Sequence, residues 1–145
     1  MPAMLERAGK DSGMSRYAIR NLKEIEDSAV KFGLSPQMES RFAREDIEAE
    51  TLGLSYQRLA PNVRQPFGHR HEQQEEVYVI LGGGGRVSLD DEVVDVRQWD
   101  AVRVSPGTTR AFEAGPDGLE LLAFGAHTTS GDVETVEGFW AGEAS

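Results

Sequence analysis

The chain has no cysteine, which excludes a thiol nucleophile and a disulfide scaffold together. It has no run near the ~18 apolar residues that a membrane-spanning helix needs. Its opening, MPAMLERAGKDSG, has no apolar core of the length a secretory signal requires. A cytoplasmic protein with no membrane partner is therefore expected. Basic residues are also scarce, with 15 Lys and Arg against 25 Asp and Glu and a formal net charge of -10. Nucleic-acid phosphates call for a basic face, so no nucleic-acid partner is expected. The acidic surplus reads as solubility. At 145 residues the chain suits one domain. A domain of this size buries roughly 68–70% of its unfolded surface and needs neither disulfide nor structural metal to fold.

What the chain has in excess is glycine, 16 residues of 145, against an ordinary share of about 7%. Residues 1–15 are polar and aperiodic and read as a disordered leader. Residues 16–50 read as a helical or irregular extension, with Leu22, Ile25 and Ala29 at helical spacing and interruptions at Gly33 and Pro36. From Thr51 onward short apolar runs alternate with turn residues. The runs are Leu52–Leu59, Glu75–Leu81, Arg86–Leu89, Val93–Val96, Ala101–Val104, Thr109–Glu113 and Leu119–Phe124. The separators are Pro61-Asn62, Gly82–Gly85, Asp90-Asp91, Ser105–Gly107 and Gly115–Gly118. That pattern predicts an all-β sandwich or barrel over residues 51–127, nearly all strands within it, with hairpin turns at the glycine cluster and at Asp90-Asp91. Residues 128–145 form a polar tail, whose Phe139 and Trp140 can dock on the body.

The chemistry concentrates in one stretch. His69 and His71 stand at i and i+2, so on an extended strand their imidazoles share a face. Glu75 and Glu76 follow. Two imidazoles and one carboxylate make the donor set of a facial metal triad. Tyr78 shares the face of Glu76 and can line the same cavity. His127, beyond the last strong strand, reads as a surface histidine. Gly82–Gly85 is followed by no helix and no Lys-Ser/Thr pair, so a phosphate loop is excluded there.

Residues 61–87, PNVRQPFGHRHEQQEEVYVILGGGGRV, resemble the first motif of the cupin superfamily: a glycine turn, His-x-His, three or four residues, Glu, six residues, Gly. Glu76 with Gly83 and Glu75 with Gly82 both fit the spacing, and Arg86-Val87 after the turn favours Glu76. Asn62 stands in for the opening glycine, since Asn tolerates left-handed geometry. Residues 99–114, WDAVRVSPGTTRAFEA, resemble the second motif, with Pro106 and Gly107 in place, Trp99 where the family has glycine and Ala114 where it has asparagine. Arg110 stands where the family has its fourth metal ligand, a histidine. The resemblance implies an antiparallel double-stranded β-helix, or jelly-roll barrel, with a short N-terminal helical segment. It also implies a small-molecule site inside the barrel, often beside Mn, Fe, Ni or Zn, and a homodimer.

A guanidinium cannot coordinate a metal. At ~5 Å and an effective dielectric of ~20, it repels a divalent ion by roughly 7 kcal/mol. Three placements of Arg110 stay open: beside a metal with an anion bridging the two cations, in place of the metal and paired with Glu76, or turned to solvent at the barrel mouth. Two functions follow. In one, His69, His71 and Glu76 hold a divalent metal, and the protein is an enzyme acting on a small anionic metabolite that Arg110 clamps and Tyr78 helps bind. In the other, the protein is a metal-free binding or sensor module in which Arg110 replaces the fourth ligand. Whether it is an enzyme, and with which catalytic residues, stays open on the sequence.

Overall fold

The computed structural model describes residues 9–11, 14–126 and 133–140. Two short strands, β1 (Gly9–Asp11) and β2 (Met14–Tyr17), pair antiparallel as a separate two-stranded sheet within and just beyond the stretch that reads as a disordered leader. A 3₁₀ turn at Leu22–Glu24 is capped by Asn21, and helix α1 (Ser28–Lys31) is capped by Asp27, whose carboxylate accepts from the backbone of both Ala29 and Ser40 at 3.0 and 2.9 Å. Helix in the extension is thus a single turn. The extension also supplies a strand that its mixed composition hid, β3 (Met38–Phe42), held against β4 (Leu52–Leu59) from Met38↔Leu59 to Phe42↔Ser55. Among the described residues no helix is long and apolar enough to cross a membrane.

The remaining strands are β5 (Gly68–His71), β6 (Glu76–Leu89), β7 (Glu92–Arg97), β8 (Ala101–Val104), β9 (Arg110–Ala126) and β10 (Val133–Val136). With β3 and β4 they make one antiparallel sheet in the order β10-β5-β9-β4-β3, and β6 joins β9 while carrying β7 and β8 on its other edge. β10 is a strand the polar tail did not announce; it runs along β5, with Val133 opposite His71 and Thr135 opposite His69.

Two separators expected as turns are interior to strands. β6 runs unbroken through Gly82–Gly85 and β9 through Gly115–Gly118; they pair from Glu76↔Gly125 to Leu89↔Arg110, with register irregularities at Ile80/Gly82 and Gly83/Gly85. The glycines serve close approach and bending. Gly83 has φ +67°, and a Cβ there would lie 2.0 Å from the Gly118 carbonyl oxygen; one at Gly85 would lie 2.0 Å from that of Glu113. The two long strands therefore fold over together, and the sheet curls into a barrel. The Asp90-Asp91 turn does join β6 to β7, with Leu89 opposite Glu92 and Asp90 at φ 55°. Asn62 takes φ 63°, as a glycine substitute must, and Trp99 takes φ 75° where the resembled motif has glycine.

The core fills the curl: Ile80, Val87, Val104, Phe112, Leu119 and Leu121 are buried, and Tyr78 meets Phe112 edge-on, ring centres 4.9 Å apart. The extension is pinned to the barrel by Glu39. Its carboxylate accepts from Lys23 at 2.7 Å, Arg41 at 2.6 Å and Arg58 at 3.0 Å. Burial alone would raise the pKa of Glu39, but these three cations override it and lower the value from 4.5 to about 2.

Two outcomes follow. Gly85→Ala has to displace the Glu113 backbone, and should cost roughly 1–3 kcal/mol in a urea unfolding titration. Glu39 binds a proton more weakly folded than unfolded, so its contribution to stability is complete above pH 4.5 and is lost as the pH falls toward about 2. Glu39→Gln should be less stable than the parent at neutral pH, and the gap should close as acid unfolding curves are taken through that window.

Candidate functional site

Three strands meet at one place. β5 brings His69 and His71, two residues apart and on one face. β6 brings Glu76 at its first residue and, two residues on, Tyr78. β9 brings Arg110 at its first residue, opposite His69 of β5. Glu75 lies on the other face of β6, 59% exposed at its side chain and 3.7 Å from Arg103 at the surface, whereas the Glu76 side chain is 14% exposed and turned inward. The loop before β9 is fastened to β5 by the Gly107 amide, which donates to the His71 carbonyl at 2.7 Å.

The Glu76 carboxylate is the centre of the arrangement. Its Oε1 accepts from Arg110 Nη2 at 2.9 Å and from the Tyr78 hydroxyl, and lies 3.7 Å from His69 Nε2. Its Oε2 accepts from Gln74 Nε2 at 3.3 Å and lies 3.5 Å from His71 Nε2. The guanidinium is spread over three partners. Besides Glu76, Nε donates to the Tyr78 hydroxyl at 3.1 Å and Nη1 to the Thr108 carbonyl at 2.7 Å. Arg110 is thus paired with Glu76, by one contact and not by a bidentate fork, and the second arm of the fork holds Tyr78.

Burial by itself would push the Glu76 pKa up. The neighbouring imidazoles of His69 and His71, the Tyr78 hydroxyl and the charge of Arg110 outweigh it and hold the carboxyl well below the usual range, so it is ionised. Burial and then the neighbouring Glu76 charge push the Tyr78 phenol upward, so it stays protonated and donates.

A cavity of about 780 Å³ opens over this cluster, and His69, His71, Glu76 and Tyr78 all line it. Arg110 does not: its accessibility is 0%, and it supports the floor from behind. A clamp made by Arg110 directly on a ligand is therefore not the arrangement of this structure. Two contributors went unread in the sequence. Gln74 looked like filler between His71 and Glu76, yet it reaches Glu76 across β9 because Gly125 leaves room; a Cβ there would lie 2.0 Å from its Nε2. Gln65 lines the cavity while its side-chain oxygen accepts from the Phe112 amide at 2.9 Å. The Gln65 carbonyl in turn accepts from the Trp140 indole at 2.7 Å, which seats Trp140 on the body, with the Arg64 guanidinium 4.1 Å over the indole ring. His127 lies outside the described residues.

His69, His71 and Glu76 form a three-donor cluster with ligand atoms within 4.8 Å of one another, the composition and spacing a divalent metal can use. The fourth direction is closed by a cation that has no lone pair to offer a metal, and one oxygen of the carboxylate already accepts from Arg110 and Tyr78.

Comparison with known proteins fits this geometry. The cupin domain family matches residues 55–124. An uncharacterized protein of Methanocaldococcus jannaschii is 38% identical over 45 residues, which is 31% of this chain and 36% of that one, so the match spans about a third of the relative. Among solved structures, a cupin protein from Bacteroides fragilis superposes with a TM-score of 0.65 at 22% identity, over 81% of this chain and 89% of that one. The polyketide cyclase RemF of Streptomyces resistomycificus gives 0.66 at 18% identity, over 82% and 83%. Oxalate decarboxylase of Bacillus subtilis gives 0.66 at 20% identity, over 81% of this chain and 32% of that one. Identities this low show the fold alone, and two of these neighbours are enzymes. Together the family match over residues 55–124, the curled sheet and these neighbours support a small cupin-superfamily domain in this chain.

Proposed function

We propose that this cupin domain binds a small molecule without a metal, with Arg110 supplying the positive charge that a metal supplies elsewhere in the superfamily. The observation that carries this reading is the fully buried Arg110 guanidinium, 2.9 Å from Glu76 Oε1 at the position of the missing ligand. A buried carboxylate needs a compensating charge. Arg110 provides it permanently, and a second cation on the same carboxylate would be repelled. The remaining groups then act as a recognition surface. Glu76 Oε2 presents an acceptor, and the two imidazoles can each present a donor or an acceptor to a ligand.

The three-donor cluster favours a second reading. In it His69, His71 and Glu76 hold Mn, Fe, Ni or Zn, and the ion supplies Lewis-acid polarisation of a bound oxygen. The similarity in fold to a polyketide cyclase and to oxalate decarboxylase supports enzymatic activity only as an analogy of scaffold.

Elemental analysis of protein purified without a metal-affinity step separates the two. The metal-free reading expects no stoichiometric metal, and no heat on titrating chelator-treated protein with Mn²⁺ or Ni²⁺. Arg110→His adds a neutral donor and removes the cation, and should gain binding. Stoichiometric metal in the parent would overturn the reading. A second prediction concerns stability. Arg110→Met strands the Glu76 charge and should cost about 3–5 kcal/mol in urea unfolding. Adding Glu76→Gln should recover a substantial part of that loss, because the buried charge is then gone as well.

A further inference from the structure

The cavity has two unlike halves. One is the polar floor of His69, His71, Gln74, Glu76 and Tyr78. The other is apolar and is supplied largely by the N-terminal extension, through Phe32, Leu34, Met38 and Phe42, together with Phe67 of the barrel. Three of these rings are wet in the structure: Phe32 is 70% exposed, Phe42 57% and Phe67 41%. Aromatic rings facing a cavity are the means by which small-molecule sites hold an apolar body while a few polar groups orient it.

The charges decide what kind of head the floor receives. Four carboxylates line the cavity, those of Glu26, Glu45, Asp46 and Glu76. Among the described lining residues the only guanidinium is Arg44, and it donates to the Ala49 carbonyl at 3.2 Å and to Glu45 at 3.5 Å. Arg110 exposes no surface to the ligand. An anion would meet like charge with no uncommitted cation to receive it, which costs affinity. A cation would gain little either. Asp46 is paired with Arg20 at 3.3 Å, Glu45 with Arg44 at 3.5 Å and Glu26 with Lys31 at 4.0 Å, and the negative charge of Glu76 is balanced from behind by Arg110.

We infer that the cavity takes an uncharged, ring-bearing small molecule, its hydroxyl or amide-type hydrogen-bonding group directed at Glu76 Oε2 and the two imidazoles and its apolar body against Phe32, Phe42 and Phe67. This inference rests on the metal-independent reading of the same site.

The test uses the whole chain after chelator treatment and three probes that share one ring and differ in the head: naphthol, naphthoate and naphthylmethylammonium. Isothermal titration should give naphthol an affinity about tenfold or more above either charged probe. Phe42→Ser, a substitution at an exposed side chain with folding checked by circular dichroism, should weaken naphthol severalfold. Naphthoate or the ammonium probe binding as well as naphthol would overturn the inference, as would no binding of any probe, or an unaltered naphthol affinity in Phe42→Ser. Repeating the titrations with Mn²⁺ keeps the two readings apart. Naphthoate binding that depends on Mn²⁺ would bring down the metal-independent reading itself. Naphthoate preferred with and without Mn²⁺ would bring down only the assignment of an uncharged ligand.

Discussion

A guanidinium with no solvent contact must find all its partners inside the protein, and the site is built around that requirement. Arg110 reaches Glu76, the Tyr78 hydroxyl and the Thr108 carbonyl. In the ladder between the two long strands, Arg110 stands opposite Leu89 and Glu76 stands opposite Gly125, at opposite ends of the pairing. Their side chains can meet only because both strands double over at their glycine bends. The ion pair is therefore also a closure of the barrel, joining two ends of one ladder through its interior. Burial makes such a pair costly to form but far costlier to leave half-made, so strand curvature, the loop before β9 and the position of Tyr78 all have to agree with it.

The same pair sets the chemistry offered to a ligand. With Arg110 and Tyr78 holding one oxygen of Glu76, the other is directed toward Gln74 and His71 at the cavity floor. The carboxylate is then a fixed acceptor, oriented before any ligand arrives, and so no ordering cost falls on binding. The neutral phenol completes the network as a donor, since deprotonating it beside Glu76 in a buried setting is strongly disfavoured.

Segments outside the matched family region shape the rest of the cavity. β3 and α1 of the extension supply one wall, and Glu39, with cations from the 3₁₀ turn, β3 and β4, secures that wall to the barrel. At the other end β10 lies along the histidine strand, and Trp140 is seated on Gln65 under the Arg64 guanidinium. The barrel thus supplies the polar floor, and the two flanking segments supply walls.

Much of this was readable in the residues. Alternation put His69 and His71 on one face and set Glu76 apart from Glu75, because the side-chain period of a strand is a local property of the backbone. Residue type at a turn is equally local, so Asn62 could be read as tolerating left-handed geometry and Asp90-Asp91 as a turn, and both Asn62 and Asp90 take positive φ. The apolar runs located β4, β7 and β8, while β6 and β9 each join two of those runs and β5 carries no such run. Other features depended on partners distant in sequence. Gly82–Gly85 and Gly115–Gly118 looked like turns, but each is a bend that exists because the other strand approaches within contact of its backbone. β3 and β10 carry too little apolar pattern to declare themselves, and are strands because an edge was available to pair with. For Arg110 the sequence determined only that a cation stood where a ligand was expected. That it points at Glu76, exposes nothing to the cavity and balances the carboxylate from behind was decided by the tertiary structure, because the folding over of two long strands fixes which charges share a buried space.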